Sequence, residues 1–148
     1  MTAESELAGF VEKFGPDMQS RIRSCRTRMQ ARFPNAVEMI YDNYNFLVIG
    51  FGPTQRASDA IFSLAAHARG VNLFFLQRGP ELPDPTSILR GSGKVVRNIK
   101  LSSPDDLDSP DVDALIEAAL ELAAIPMSAS DGHELIIKSI SAKQRPRR

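Results

Sequence analysis

The sequence predicts an α+β domain, and three observations carry that expectation. Two helical stripes of apolar residues open the chain, Leu7-Phe10-Val11-Phe14 and Met18-Ile22-Cys25-Met29. Runs rich in β-forming residues, such as "NFLVIGF" and "VNLFFL", fill its middle. A helix start at Ser109-Pro110 follows them. Helices that open and close the chain around strand-rich runs suit an α+β arrangement.

Composition bounds the reading. A chain of 148 residues fits one domain with a core of useful size. Hydrophobic residues make up 43% and charged residues 24%, as in ordinary globular chains. Eighteen basic residues balance eighteen acidic ones, so no global field draws nucleic acid or an acidic membrane. The single cysteine, Cys25, allows no disulfide framework and no cysteine-based metal site. The opening "MTAESELAGF" lacks a basic stretch followed by an apolar run, so a cytoplasmic protein without a signal peptide is expected. No apolar run approaches the length of a membrane span.

The elements follow in order. The first helix is predicted from Glu4 to Phe14, with Gly15-Pro16 ending it. Pro16 suits the first position of a second helix, which must stop before Pro34. Five arginines sit on that helix, Arg21, Arg23, Arg26, Arg28 and Arg32. Its spacing scatters them around the helix, so they form no single patch. Val37 to Tyr41 reads as a strand, Asp42-Asn43 as a turn, and Tyr44 to Phe51 as a buried strand. The stretch "ASDAIFSLAAHARGVNLFFLQRG" is ambiguous. Ala57, Ala60, Ile61, Leu64, Ala65 and Ala68 keep helical spacing, and the pattern alone favours a helix before the "VNLFFL" strand. Asp84 caps a predicted short helix running from Pro85 to about Arg90. Lys94 to Leu101 alternates as a strand, with Val95, Ile99 and Leu101 on one side. The last helix carries Val112, Leu115, Ile116, Ala119 and Leu120 on its apolar face and ends before Pro126. A late strand is expected at 135–140, and the basic tail beyond Ala142 reads as disordered.

The stretch from "FGP" through "ELPDP" and "LRGSGKVVR" resembles the bacterial domain of unknown function 1801, the YdhG-like family. The likeness runs from roughly Phe10 to Leu120, and "LIIKSISAKQRPRR" is similar to tails on such proteins. It implies a YdhG-like domain over 1–126, with 127–148 as an extension. The fold it implies has an antiparallel sheet of about five strands, with the helices on one face. It also implies that Ala60 to His67 is a strand, paired with Val71 to Leu76 through "ARG", against the helical pattern of the residues alone. No catalytic residues come with the family. A frataxin-like iron-chaperone role attached to some relatives requires exposed carboxylates. The acidic block Asp105, Asp106, Asp108, Asp111, Asp113, Glu117 and Glu121 contains such groups, although part of it is also what a helix start needs.

Chemistry-bearing motifs are few. Gly91-Ser-Gly-Lys94 is not a phosphate loop of the Walker type. Ile88 stands where that motif needs its first glycine, and Val95 stands where it needs the metal-binding hydroxyl. Gly91 instead reads as the left-handed residue that closes a helix. Arg90, Lys94, Arg97 and Lys100 still place four positive charges in eleven residues without an acid. Lys94 and Arg97 are the expected anion contacts, or else partners of the acidic block. Tyr44, His67 and Arg78, with Tyr41 and Asn72, are candidates to line a polar pocket beside them. His67 and His133 lack metal-ligand spacing, Cys25 lies on an apolar stripe, and no nucleophile stands beside a base. The resulting expectation is a non-enzymatic module, without cofactor or nucleic-acid partner, that binds a small molecule, an anion in its most concrete version. The alternatives are a homodimer that associates through an uncovered sheet face, and the iron chaperone.

Overall fold

The computed structural model describes residues 1–148. Two helices lead, α1 at Ala3–Val11 and α2 at Pro16–Arg32. Strands β1 (Val37–Asp42), β2 (Leu47–Gly52), β3 (Phe62–His67), β4 (Gly70–Phe75) and β5 (Arg97–Leu101) follow. Helix α3 (Pro110–Leu122) and strand β6 (Glu134–Ile140) complete the chain. The six strands form one sheet in the order β5-β4-β3-β2-β1-β6. The fold is α+β and mostly antiparallel. The sheet has six strands against the five or so expected, because the late strand expected at 135–140 joins it as β6, parallel to β1.

Local chemistry explains the helix ends. Thr2 and Ser5 cap α1 reciprocally, side chain to backbone. The helix stops at Val11, three residues short of expectation. Phe14 N–H then donates to Val11 carbonyl at 3.0 Å, so the final turn tightens while Phe14 stays buried. Pro16 opens α2 as predicted, and the helix ends at Arg32, ahead of Pro34. Ser109 caps α3 ahead of Pro110.

The helical spacing of Ala60 to Ala68 misleads, and the hairpin implied by the YdhG-like resemblance is what forms. β3 sits between β2 and β4, with Leu64 opposite both Ile49 and Leu73. Phe62, Leu64 and Ala66 face the helices, while Ser63 and Ala65 are also buried on the other side. A strand covered on both faces needs apolar or small residues at every position. That requirement erases the period of two.

Three further expectations are corrected. Tyr44 to Phe46 belong to the β1–β2 turn, closed by Asn43 N–H to Phe46 carbonyl at 2.9 Å, and β2 starts at Leu47. No helix follows Asp84. Its carboxylate accepts from Ile88 and Leu89 N–H at 2.9 and 3.0 Å, but Ser87 is left-handed at φ 57° and ends the turn. Gly91 does adopt positive φ, at 107°, but in a loop that Arg90 and Asn98 close with two backbone bonds. β5 therefore begins at Arg97, and Val95 is exposed.

The core lies between the sheet and the three helices. Phe33 stacks on Phe62 at 5.4 Å, and Phe62 meets Phe75 edge-on at 5.9 Å. The acidic block turns to α2 and not to the basic loop. Arg28 reaches Asp105 at 2.6 Å and Asp108 at 3.3 Å, while Arg32 reaches Asp113 and Glu117. No helix is long and apolar enough to cross a membrane.

Candidate anion cleft

The sheet has two ends, and the predicted site residues divide between them. Phe75 pairs with Arg97 at one end, and His67 pairs with Gly70 at the other. The six-residue strand β4 separates the ends by roughly 17 Å. Arg78, Lys94 and Arg97 lie at the first end, Tyr44 and His67 at the second. No common pocket forms among them.

At the first end the arginines are already occupied. Arg78 grips Glu81 with two bonds of 2.6 Å and reaches Leu122 carbonyl at 3.4 Å. Arg97 folds onto its own loop, donating to the carbonyls of Gly93 and Val96. Lys94 is exposed and makes no ion pair. Asn72 bonds Asn98 on the sheet face away from the helices, at 3.0 Å, so it joins neither end.

The second end is a different environment. Register places Asp42, Leu47, Ala66 and Val71 side by side where β1 and β3 finish and where β2 and β4 begin. The β1–β2 turn and the β3–β4 turn therefore project together. Because β6 runs parallel to β1, the chain after Ile140 also emerges here. It does not hang free as the sequence reading expects. Ser141 N–H donates to Asp42 carbonyl at 2.8 Å, and Arg145 N–H donates to Tyr44 carbonyl at 2.9 Å. Between this segment and the two turns lies a cleft of about 740 Å³.

Its lining includes Asn45, Phe46, His67, Arg69, Arg145 and Arg148, and no aspartate or glutamate side chain. Arg69 and Arg145 form no ion pair with any carboxylate. The Arg145 guanidinium lies 5.8 Å from the Tyr44 ring centre, and Arg148 donates only to the carbonyls of Glu12 and Lys13. His67 Nδ1 accepts from Arg69 N–H at 3.2 Å, which puts the proton of the neutral ring on Nε2. Its ring meets Phe46 edge-on at 5.7 Å. Partial burial lowers its pKa below the usual histidine value, helped by the charges of Arg69 and Lys100.

Pairing of β2 with β3 thus puts Tyr44 and His67 at one end of the sheet, but only His67 lines the cleft. Arg69, Arg145 and Arg148 were not singled out from the sequence. The signal for the first was its place at the tip of the "ARG" hairpin. The signal for the others was the basic run "KQRPRR".

Elsewhere, polar burial serves structure. Glu38 is 1% exposed and accepts from Arg26, Gln30 and His133 at 2.8 to 3.1 Å. Cys25 is fully buried, and burial pushes its thiol up to about 11. No group of three or more histidine, cysteine, aspartate or glutamate side chains is placed to hold a metal ion. No family model, no curated protein and no solved structure matches the chain.

Proposed function

We propose that the chain is a binding module for a small anionic molecule, seated in the cleft at the β1–β2 and β3–β4 turns. One observation carries this reading. Arg69 and Arg145 both line a cleft of about 740 Å³ that holds no aspartate or glutamate side chain, and neither makes an ion pair. Small-molecule sites are typically roughly 300–1,000 Å³. An arginine fork gives a phosphate or carboxylate two parallel charge-assisted bonds, which an already paired arginine does not offer. The lining includes no serine, threonine, cysteine, aspartate or glutamate, so binding fits the site better than group transfer. Lys94 and Arg97, the anion contacts expected from the sequence, support the reading less, because Arg97 is spent on its own loop. The iron-chaperone alternative has little support, since Arg28 and Arg32 engage much of the acidic block.

The test is isothermal titration with inorganic phosphate and pyrophosphate at fixed ionic strength. Arg69→Gln and Arg145→Gln are each expected to weaken binding about tenfold or more, the loss of a charged hydrogen-bond donor. Binding abolished by Lys94→Ala with Arg97→Ala, but untouched by Arg69→Gln, moves the site to the other end of the sheet.

A second reading is homodimer formation through the sheet face opposite the helices. Val37, Met39 and Ala60 make only a small buried cluster on that side. Tyr41 and Val48 line a shallow recess of about 280 Å³ there. Light scattering that gives a monomer at high concentration removes this reading.

A further inference from the structure

The segment Ser141–Arg148 does more than border the cleft. It lies across the strand ends like a strap. Arg147 Nη2 donates to Asn43 carbonyl at 2.6 Å, and Gln144 Nε2 donates to Asp42 carbonyl at 3.0 Å. Arg148 ties the strap to the end of α1 through Glu12 and Lys13.

The latch is a three-member charge group. Asp42 is fully buried, with Lys13 Nζ at 2.7 Å and Arg147 Nη2 at 3.2 Å. Arg147 is itself only 4% exposed and lies 5.3 Å from the Phe14 ring centre. Two cations thus share one carboxylate. The group is incompletely satisfied, because Asp42 Oδ1 and Arg147 Nε and Nη1 have no hydrogen-bond partners. Opening the strap returns Arg147 to water and leaves Asp42 still paired with Lys13. Closing it desolvates a guanidinium for an imperfect bond. The latch therefore contributes less to closure than a fully satisfied buried pair would.

Closing also has an electrostatic consequence. It brings Arg145 and Arg148 to the cleft that Arg69 lines from the β3–β4 turn. Like charges on Arg69 and Arg145, with no aspartate or glutamate side chain in the lining, oppose closure. An anion in that space reverses the sign of that interaction. A ligand that meets the closed arrangement better than the open one shifts the population toward it.

From this we infer that a phosphate-bearing ligand bridges Arg69 and the strap, and that its binding locks the strap shut, with Arg147 in the Asp42 latch positioning Arg145 and Arg148. The inference rests on the anion-binding reading above and adds the coupling. Ligands with two phosphate groups span the opposed arginines, so pyrophosphate locks the strap more firmly than phosphate does. Arg147 is a positioning residue, since nothing places it in contact with the ligand.

The experiment is residue-resolved hydrogen exchange by NMR on the full chain, with and without pyrophosphate, beside titration calorimetry. The amides of Ser141 and Arg145, bonded to Asp42 and Tyr44 in the closed strap, are the reporters. Pyrophosphate is expected to slow their exchange about fivefold or more, the lower end of ordinary coupling between sites. Arg69→Gln, which lies outside the strap, is expected to remove that slowing. Arg147→Gln is expected to speed exchange in the free protein and to weaken pyrophosphate binding by a similar factor. Gln144→Ala loosens the same latch if Arg147→Gln fails to fold. Pyrophosphate that binds with unchanged strap exchange, or with full affinity to both latch variants, overturns the coupling and spares the site. Absence of any binding overturns both.

Discussion

Arg26 of α2 holds Glu38 of β1 through two hydrogen bonds, Nε to Oε2 at 2.8 Å and Nη2 to Oε1 at 3.1 Å. The same guanidinium reaches Glu4 of α1, so one arginine ties both leading helices to the sheet. Glu38 is 1% exposed, and breaking a buried pair leaves the remaining charge without its counter-ion. Arg26→Met is therefore expected to destabilise the fold by about 3–5 kcal/mol. Urea unfolding measures this, through a lower midpoint with an unchanged slope. A loss below about 1 kcal/mol places the pair with ordinary surface ion pairs.

His67 supplies a pH dependence whose sign follows from its surroundings. Partial burial, Arg69 and Lys100 hold its pKa below the ordinary 6.5, so the unfolded chain takes up the proton first as pH falls. Above that value the ring is neutral in both states and contributes nothing. Stability is lost as pH drops through 6.5 toward the depressed native value, and the loss levels off once the native ring also protonates. His67→Gln is expected to flatten this part of a melting-temperature profile measured between neutral and mildly acidic pH. A profile unchanged by the substitution means that the ring is solvated like that of a free histidine.

Cys25 is expected to be inert. Its thiol is fully buried and pushed up to about 11, so almost no thiolate exists at pH 8. Native protein should resist iodoacetamide at that pH, and denatured protein should react at once. Mass spectrometry across a urea series reads the difference. Rapid native alkylation places Cys25 at the surface of α2.

The cleft and the fold were not equally legible in the residues. Tyr44, beside the first hairpin, and His67, in an apolar segment, do lie at the same end of the sheet, where Tyr44 meets Arg145 and His67 meets Phe46. Arg78, Arg97 and Lys94 were grouped with them on charge alone, but strand length puts them at the far end of the sheet. Arg145 and Arg148 sit in a run whose composition reads as disordered. What orders that run is Asp42, about a hundred residues earlier in the chain.

Taken alone, the residues determined whatever depends on a few neighbours. The start of α2 at Pro16, its stop before Pro34, the cap at Ser109, the late strand and the α+β class all follow from proline geometry, capping and local apolar spacing. Tertiary structure decided the rest. Burial of β3 on both faces turned a helical pattern into a central strand. Parallel pairing of β6 with β1 carried a basic tail to a buried carboxylate and set its arginines across from Arg69. Spacing along a chain reports one face of one element at a time. Which charges share a space is settled only when distant strands choose their partners.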